Sequence, residues 1–236
     1  MNVTEHASKQ FDADLAALRS RVVEMGGVVE EQLRLAVEAL HSGRDELAEQ
    51  VVANDSRVNE FEVGIDDDCA HIIAKRQPTA SDLRMILGVS KMVTDLERTG
   101  DKARKIARLS AAIRESDAAD RAWQDDVLRL SDHARALLRR TLDAFVRAEL
   151  PEAIAVIRDT KAIGRQVNAV ANDIIRRMSE NPAQVAVLLD MLAVTRSIDR
   201  VADYAGNIAE HLIYIVRGTD VRHATLDQIE RETLAR

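Results

Sequence analysis

The sequence predicts an all-α protein, a tandem pair of three-helix up-down-up bundles related by internal duplication. Three observations predict it. The 236 residues are 46% hydrophobic and 31% charged but only 3% aromatic, with 9 glycines and 3 prolines. That is the composition of long helices with few interruptions. Apolar residues recur at spacings of three and four, the period of a helix that buries one face. One short pattern also occurs twice. Leu96-Glu97-Arg98-Thr99-Gly100-Asp101 returns 102 residues later as Ile198-Asp199-Arg200-Val201-Ala202-Asp203. Each copy continues with Ala, two variable residues and Ile-Ala (Ala103, Ile106, Ala107; Ala205, Ile208, Ala209). A repeat at about half the chain length marks two copies of one unit.

The elements follow in order. A first helix over residues 5–41 carries Leu15, Leu18, Val22, Met25, Val29, Ala36 and Leu40 on one stripe, and Gly43 ends it. A second spans 45–76 and stops at Gln77-Pro78, since proline cannot continue a helix. A third runs from Ser81, an N-cap residue, to 113. The polar stretch 114–120 joins the halves. A fourth helix spans 122–147, and a fifth opens on Pro151 and runs to 178. Asn181-Pro182 starts a sixth, which ends at Arg217 with Gly218 as its stop. Residues 219–236 form a polar tail with one weak helix at 226–234. The units are therefore 1–115 and 120–218. Long helices with short connections pack as antiparallel neighbours.

Bulk properties exclude several classes. The formal net charge of -7 argues against nucleic acid as the main ligand, because phosphate binding needs a basic surface. The single cysteine, Cys69, rules out an intramolecular disulfide and fits a reducing compartment. The N-terminus has neither a basic segment nor an apolar run of signal-peptide type, and the longest apolar stretches are too short to cross a bilayer. The expectation is a cytoplasmic protein without membrane insertion.

The repeated motif carries the chemistry. Residues four apart on a helix lie one turn above each other, so Glu97/Asp101 and Asp199/Asp203 are two stacked carboxylate pairs. Acid pairs at this spacing arise by chance in a chain with 40 acids, and alone they read as solvated faces. The longer pattern acid-Arg-x-x-Asp occurs only in these two copies, at equivalent places in the duplication. Like charges one turn apart repel and call for a counter-charge. The candidates are Arg98 and Arg200, or a hard cation such as Fe, Mn, Mg or Ca held by oxygen donors. Periodicity places Ile198, Val201, Ala205, Ile208, Leu212 and Ile215 inward and Asp199, Asp203, Asn207 and Glu210 on another, outward face. In the first copy Lys105 and Arg108 stand where the second has Asn207 and Glu210, so the second motif is expected to be the better cation site.

Here the chain resembles the PhoU family, phosphate-signalling regulators found beside bacterial Pst phosphate transporters. The resemblance lies in residues 74–84 (AKRQPTASDLR), 95–101 (DLERTGD), 196–203 (RSIDRVAD), 207–210 (NIAE) and the tail 214–223 (YIVRGTDVRH), with their spacing over the whole chain. It implies two three-helix bundles and metal on the Glu97/Asp101 and Asp199/Asp203 motifs. It further implies a homodimer that restrains the phosphate-starvation response by linking the Pst transporter ATPase to a sensor histidine kinase. Asp82 and Arg84, and Asp95 beside the first motif, are supporting candidates on the same resemblance.

The remaining features have plainer readings. Asp66-Asp67-Asp68 point in three directions and form a solvated face, with one acid available to complete the first site. The six histidines lack metal-ligand spacing and are expected at surfaces or boundaries. Trp123 and Phe145 are packing residues, and Cys69 has no base in view. A metal-dependent phosphohydrolase lacks a general base, a phosphate-gripping loop and a lid. A helical scaffold whose acids bind no metal is the main alternative to the regulator.

Overall fold

The computed structural model describes residues 3–116 and 120–234 and is helical throughout, with no strand among them. The helices are α1 (Val3–Ser42), α2 (Asp45–Ala53), α3 (Asp55–Arg76), α4 (Ala80–Arg114), α5 (Arg121–Arg147), α6 (Leu150–Glu180), α7 (Val185–Arg217) and α8 (Leu226–Leu234), with a 3-10 turn at Pro182–Gln184. Residues 117–119 of the predicted connector lie outside the described residues.

Three boundaries depart from the sequence reading. The second predicted helix is broken into α2 and α3 at Asn54. Asn54, Asp55 and Ser56 are weak helix formers that hydrogen-bond locally, and the Ser56 hydroxyl donates to the Ala53 carbonyl. The third helix starts at Ala80, with Thr79 rather than Ser81 preceding it in extended backbone. Asn181-Pro182 opens a 3-10 turn, and the long helix begins only at Val185. By contrast, Asp120 caps α5 by accepting from the Trp123 backbone N–H (2.9 Å). Gly43 and Gly218, both at positive φ, terminate α1 and α7.

Each half has the up-down-up course. In the first, α3 runs antiparallel to α1, where Arg76 meets Asp14 and Arg21 meets Asp68, and to α4, where Cys69 lies against Ile86 and Asp66 against Ser90. In the second, Arg140 of α5 pairs with Glu152 and Asp159 of α6. The halves do not stand apart. α4 and α7 lie side by side and antiparallel, with Gly88 against Ile215 and Asp95 against Asn207 and His211. α1 and α5 meet in the same sense, Gly26 against Leu142 and Glu30 against Arg135 and Arg139. A Cβ on Gly88 would collide with the Ile215 side chain, so the close approach of α4 and α7 at this point uses the missing side chain of that glycine. Both bundles thus share one continuous hydrophobic core. Removing that apolar surface from water, at about 25 cal/mol per Å², is what holds the halves together.

Candidate functional site

The two motifs occupy equivalent turns of α4 and α7. Leu96 and Ile198 are fully buried, and so are the downstream Ala103, Ile106, Ala205 and Ile208. That burial orients each helix and leaves Glu97, Asp101 and Asp199 half-buried and Asp203 exposed. The carboxylates are therefore boundary groups on open faces.

The first motif faces α3, which adds acids of its own. Glu62 and Asp55 lie close enough to act electrostatically on Glu97, and Asp66 on Glu62. Burial, then repulsion from Asp101, Glu62 and Asp55, pushes the Glu97 carboxyl above its ordinary value. Burial and then Asp66 do the same to Glu62. Arg104 is the local counter-charge, reaching both Asp55 and Asp101. Asp55 is 8% exposed. The Asp66 carboxylate accepts from the Ser90 hydroxyl (2.7 Å), so of the three consecutive acids it is the one turned to α4. Asp68 pairs with Arg21, and Asp67 is exposed.

The second motif has a different neighbour. Shifting by 102, Glu62 corresponds to Gly164 and Asp66 to Asn168. Gly164 sits against Asp199, and the Asn168 side-chain carbonyl accepts from Arg196 (2.7 Å). Arg196 lies 3.6 Å from Asp199 and Arg200 3.0 Å from Asp203. Lys161 and Arg165 flank Gly164 along α6. Although the Asp203 side chain reaches solvent, partial desolvation by the protein around it and then repulsion from Asp199 raise its carboxyl. One motif thus sits in an acidic face, while the acids of the other have arginines, Arg196 and Arg200, as their charged neighbours.

Asn207 and Glu210 were expected beside Asp199 and Asp203. The structure places them at the seam with α4 instead. Asn207 Nδ2 donates to Asp95 Oδ1 (3.4 Å), and His211 Nε2 donates to Asp95 Oδ2 (3.2 Å). Glu210 is seven residues beyond Asp203, about 10 Å along the helix, too far to share an ion with it. It lines a cleft of about 370 Å³ with Lys91, Thr94, Arg98 and Arg222. Burial first, then Asp220, pushes the Glu210 carboxyl up to about 7. Asp95, named only as a supporting candidate, is 4% exposed and acts as a structural acceptor between the halves. His211 is 7% exposed, which corrects its placement as a surface or boundary residue. Asp82 and Arg84 lie away from both motifs. Arg84 packs against Gly218 at the C-terminus of α7, where a cation suits the exposed carbonyls.

Oxygen donors in the first face suit a hard cation in kind. As the side chains stand, no three of His, Cys, Asp or Glu among the described residues converge on one point that would hold an ion. The expected preference for the second motif rests on α4 and α7 alone, without the neighbouring helices in view. α3 brings Glu62 and Asp55 beside the first motif, where the equivalent positions of α6 are Gly164 and Ile157. Cys69 is buried, and burial pushes its thiol up to about 12. Trp123 packs in the core with its indole N–H on Thr195 Oγ1 (3.2 Å).

Fold and site together define a class: an internally duplicated helical protein that presents two charged motifs on open faces of one fused core. The PhoU domain family model matches residues 22–110 and again 127–212, one match in each half. The chain is 41% identical over 231 residues to the phosphate-specific transport system accessory protein PhoU homolog of Pseudomonas putida, covering 98% of this chain and 90% of that one. To the Escherichia coli K12 phosphate-specific transport system accessory protein PhoU it is 37% identical, with 98% and 95% covered. The crystal structure of PhoU from Pseudomonas aeruginosa superposes with a TM-score of 0.84 at 38% identity, covering 89% of this chain and all of that one. The chain belongs to the PhoU family.

Proposed function

We propose that this chain is a non-enzymatic regulator of phosphate uptake, an accessory of a Pst-type phosphate transporter. In this reading it works in the cytoplasm as a homodimer and restrains the phosphate-starvation response by linking the transporter ATPase to a sensor histidine kinase. The observation that carries it is the full-length similarity to proteins named as phosphate transport accessories, joined to motifs on open faces suited to docking. Immobilised chain should retain the purified transporter ATPase and the kinase cytoplasmic domain at micromolar concentration. Retention of neither overturns the reading.

We further propose that Glu97 and Asp101, with Glu62, hold a hard cation (Fe, Mn, Mg or Ca), and that Asp199 and Asp203 hold one more weakly. A bound ion would supply the positive charge that Arg104 now brings to Asp101. Metal content by plasma mass spectrometry should fall in a folded Glu62→Gln/Glu97→Gln variant and change less in Asp199→Asn/Asp203→Asn. A second reading, the scaffold without metal, draws on Arg104, which already balances Asp55 and Asp101. Metal-free protein after incubation with each ion decides for it.

A further inference from the structure

We propose that the groove between α2 and α4 seats a basic amphipathic helix supplied by a partner protein. The groove encloses about 500 Å³ over a floor of Ala48, Val52, Ala53, Ala107 and Ala111. Ala53 and Ala111 are exposed, and Ala48 and Val52 are half-buried. Among the described residues of the first half, no helix beyond α2 and α4 covers them.

The duplication shows what such a groove accepts. Shifted by 102, Ala48, Val52, Ala107 and Ala111 become Leu150, Ile154, Ala209 and Ile213. These are 8%, 3%, 0% and 0% exposed. The C-terminal segment lies over that half, with Val221 and Ile229 buried to 1% and 2%. α8 packs on α6 and is tied to both walls. Arg158 of α6 pairs with Glu230, and Arg217 of α7 donates to the Thr233 carbonyl (2.7 Å). The first half offers the equivalent groove, walled by the shorter α2, with no third helix seated in it among the described residues.

Size and charge identify the occupant. Alanine and valine on the floor in place of leucine and isoleucine leave room for larger apolar side chains at i, i+3 and i+7 of an incoming helix. The fixing charges are reversed. Where the second half has Arg158 and Arg217, the first has Ser56 and Glu115; on the α2 wall Glu49 faces Arg108 of α4, and Asp45 is held by Arg114 at the groove's end. A second copy's α8, with Asp227, Glu230 and Glu232, would bring like charge to that wall. A helix bearing lysine or arginine brings the opposite one.

The test uses the full chain and two fluorescein-labelled peptides, read by fluorescence anisotropy. One peptide copies residues 221–234; the other carries Asp227→Lys, Glu230→Lys and Glu232→Lys. The lysine peptide should bind saturably in the micromolar range, and the native-sequence peptide at least tenfold more weakly. Ala111→Arg and, separately, Ala53→Arg should each weaken binding at least tenfold at exposed positions that leave the thermal melt unchanged. Glu49→Lys should narrow the difference between the peptides. Absence of binding, equal binding of both peptides, or binding that survives both arginine variants overturns the proposal. So does conversion of a dimer to a monomer by Ala111→Arg, which would assign the groove to a second copy of the chain.

Discussion

Asp95 is the most exacting place to test the seam between the halves. Its carboxylate is 4% exposed and accepts from His211 Nε2 at 3.2 Å and Asn207 Nδ2 at 3.4 Å, all three on the facing surfaces of α4 and α7. Asp95→Ala orphans the His211 N–H in a site where only 7% of that residue meets water. An unpartnered buried donor costs about 1–3 kcal/mol. Half-buried Asn207 turns to solvent and adds little. Loss of the carboxylate's own contacts brings the total to about 2–3 kcal/mol. For a chain of this length each kcal/mol lowers Tm by about 2–4 °C, so the melt followed by far-UV circular dichroism should fall by about 4–12 °C. The decisive form is a cycle with His211→Ala and the double variant. If the pair acts as one unit, the second substitution costs less once the first is made, with a coupling of about 1–2 kcal/mol. A coupling below about 0.5 kcal/mol, or a melt within 2 °C of the parent, refutes the idea that Asp95 joins the halves through His211.

Three further outcomes follow from the same geometry. The Glu210 carboxyl ordinarily titrates near 4.5 and is pushed up to about 7 in the fold, so the folded chain holds its proton more tightly than the unfolded one. Its contribution to stability is therefore present below about pH 4.5 and lost as pH rises through about 7. Glu210→Gln should stabilise the chain at pH 8 by on the order of 1 kcal/mol, discounted because solvent screens a half-buried group, and the gain should vanish at pH 4; equal gains at both pH values would show that titration is not the cause. Asp120→Ala removes the α5 cap on Trp123 and should cost about 1 kcal/mol in urea unfolding, with an unchanged midpoint counting against the cap. Cys69, 5% exposed with its thiol pushed up to about 12, should resist iodoacetamide at pH 8 until the chain unfolds. Rapid labelling of the native protein would mean that the α3–α4 contact opens.

The long helices and the repeated motif were legible because each rests on local information. Periodicity marks the face that is buried, and Ile198, read as inward, is fully buried, as is Leu96 at the equivalent turn. Asn54 escaped because one weak helix former within a periodic run does not disturb the apolar stripe, yet it suffices to end a helix. The site was half legible. The spacing of Glu97 and Asp101 is visible in sequence, but Glu62 and Asp55 reach them only once α3 is folded onto α4. The 102-residue shift that aligned α4 with α7 also aligns Glu62 with Gly164, and that comparison would have shown the asymmetry. Asn207 and Glu210 share a helical face with Asp203, and a helix wheel omits distance along the axis. His211 offered no signal by spacing, because its partner lies on the other half of the chain.

The difference between the two motif faces has a consequence for how the molecule is used. A duplicated body with two identical faces has no front or back, and a partner docking on it would choose between two orientations of equal energy. Here one face presents Asp55, Glu62 and Asp66 behind its motif, while the other presents Gly164 against Asp199 and Asn168 bound to Arg196. A partner matched to the first meets like charge and missing contacts on the second. The unequal neighbours of the two motifs polarise the duplicated body, so that a partner fitted to one motif face has a single orientation on it.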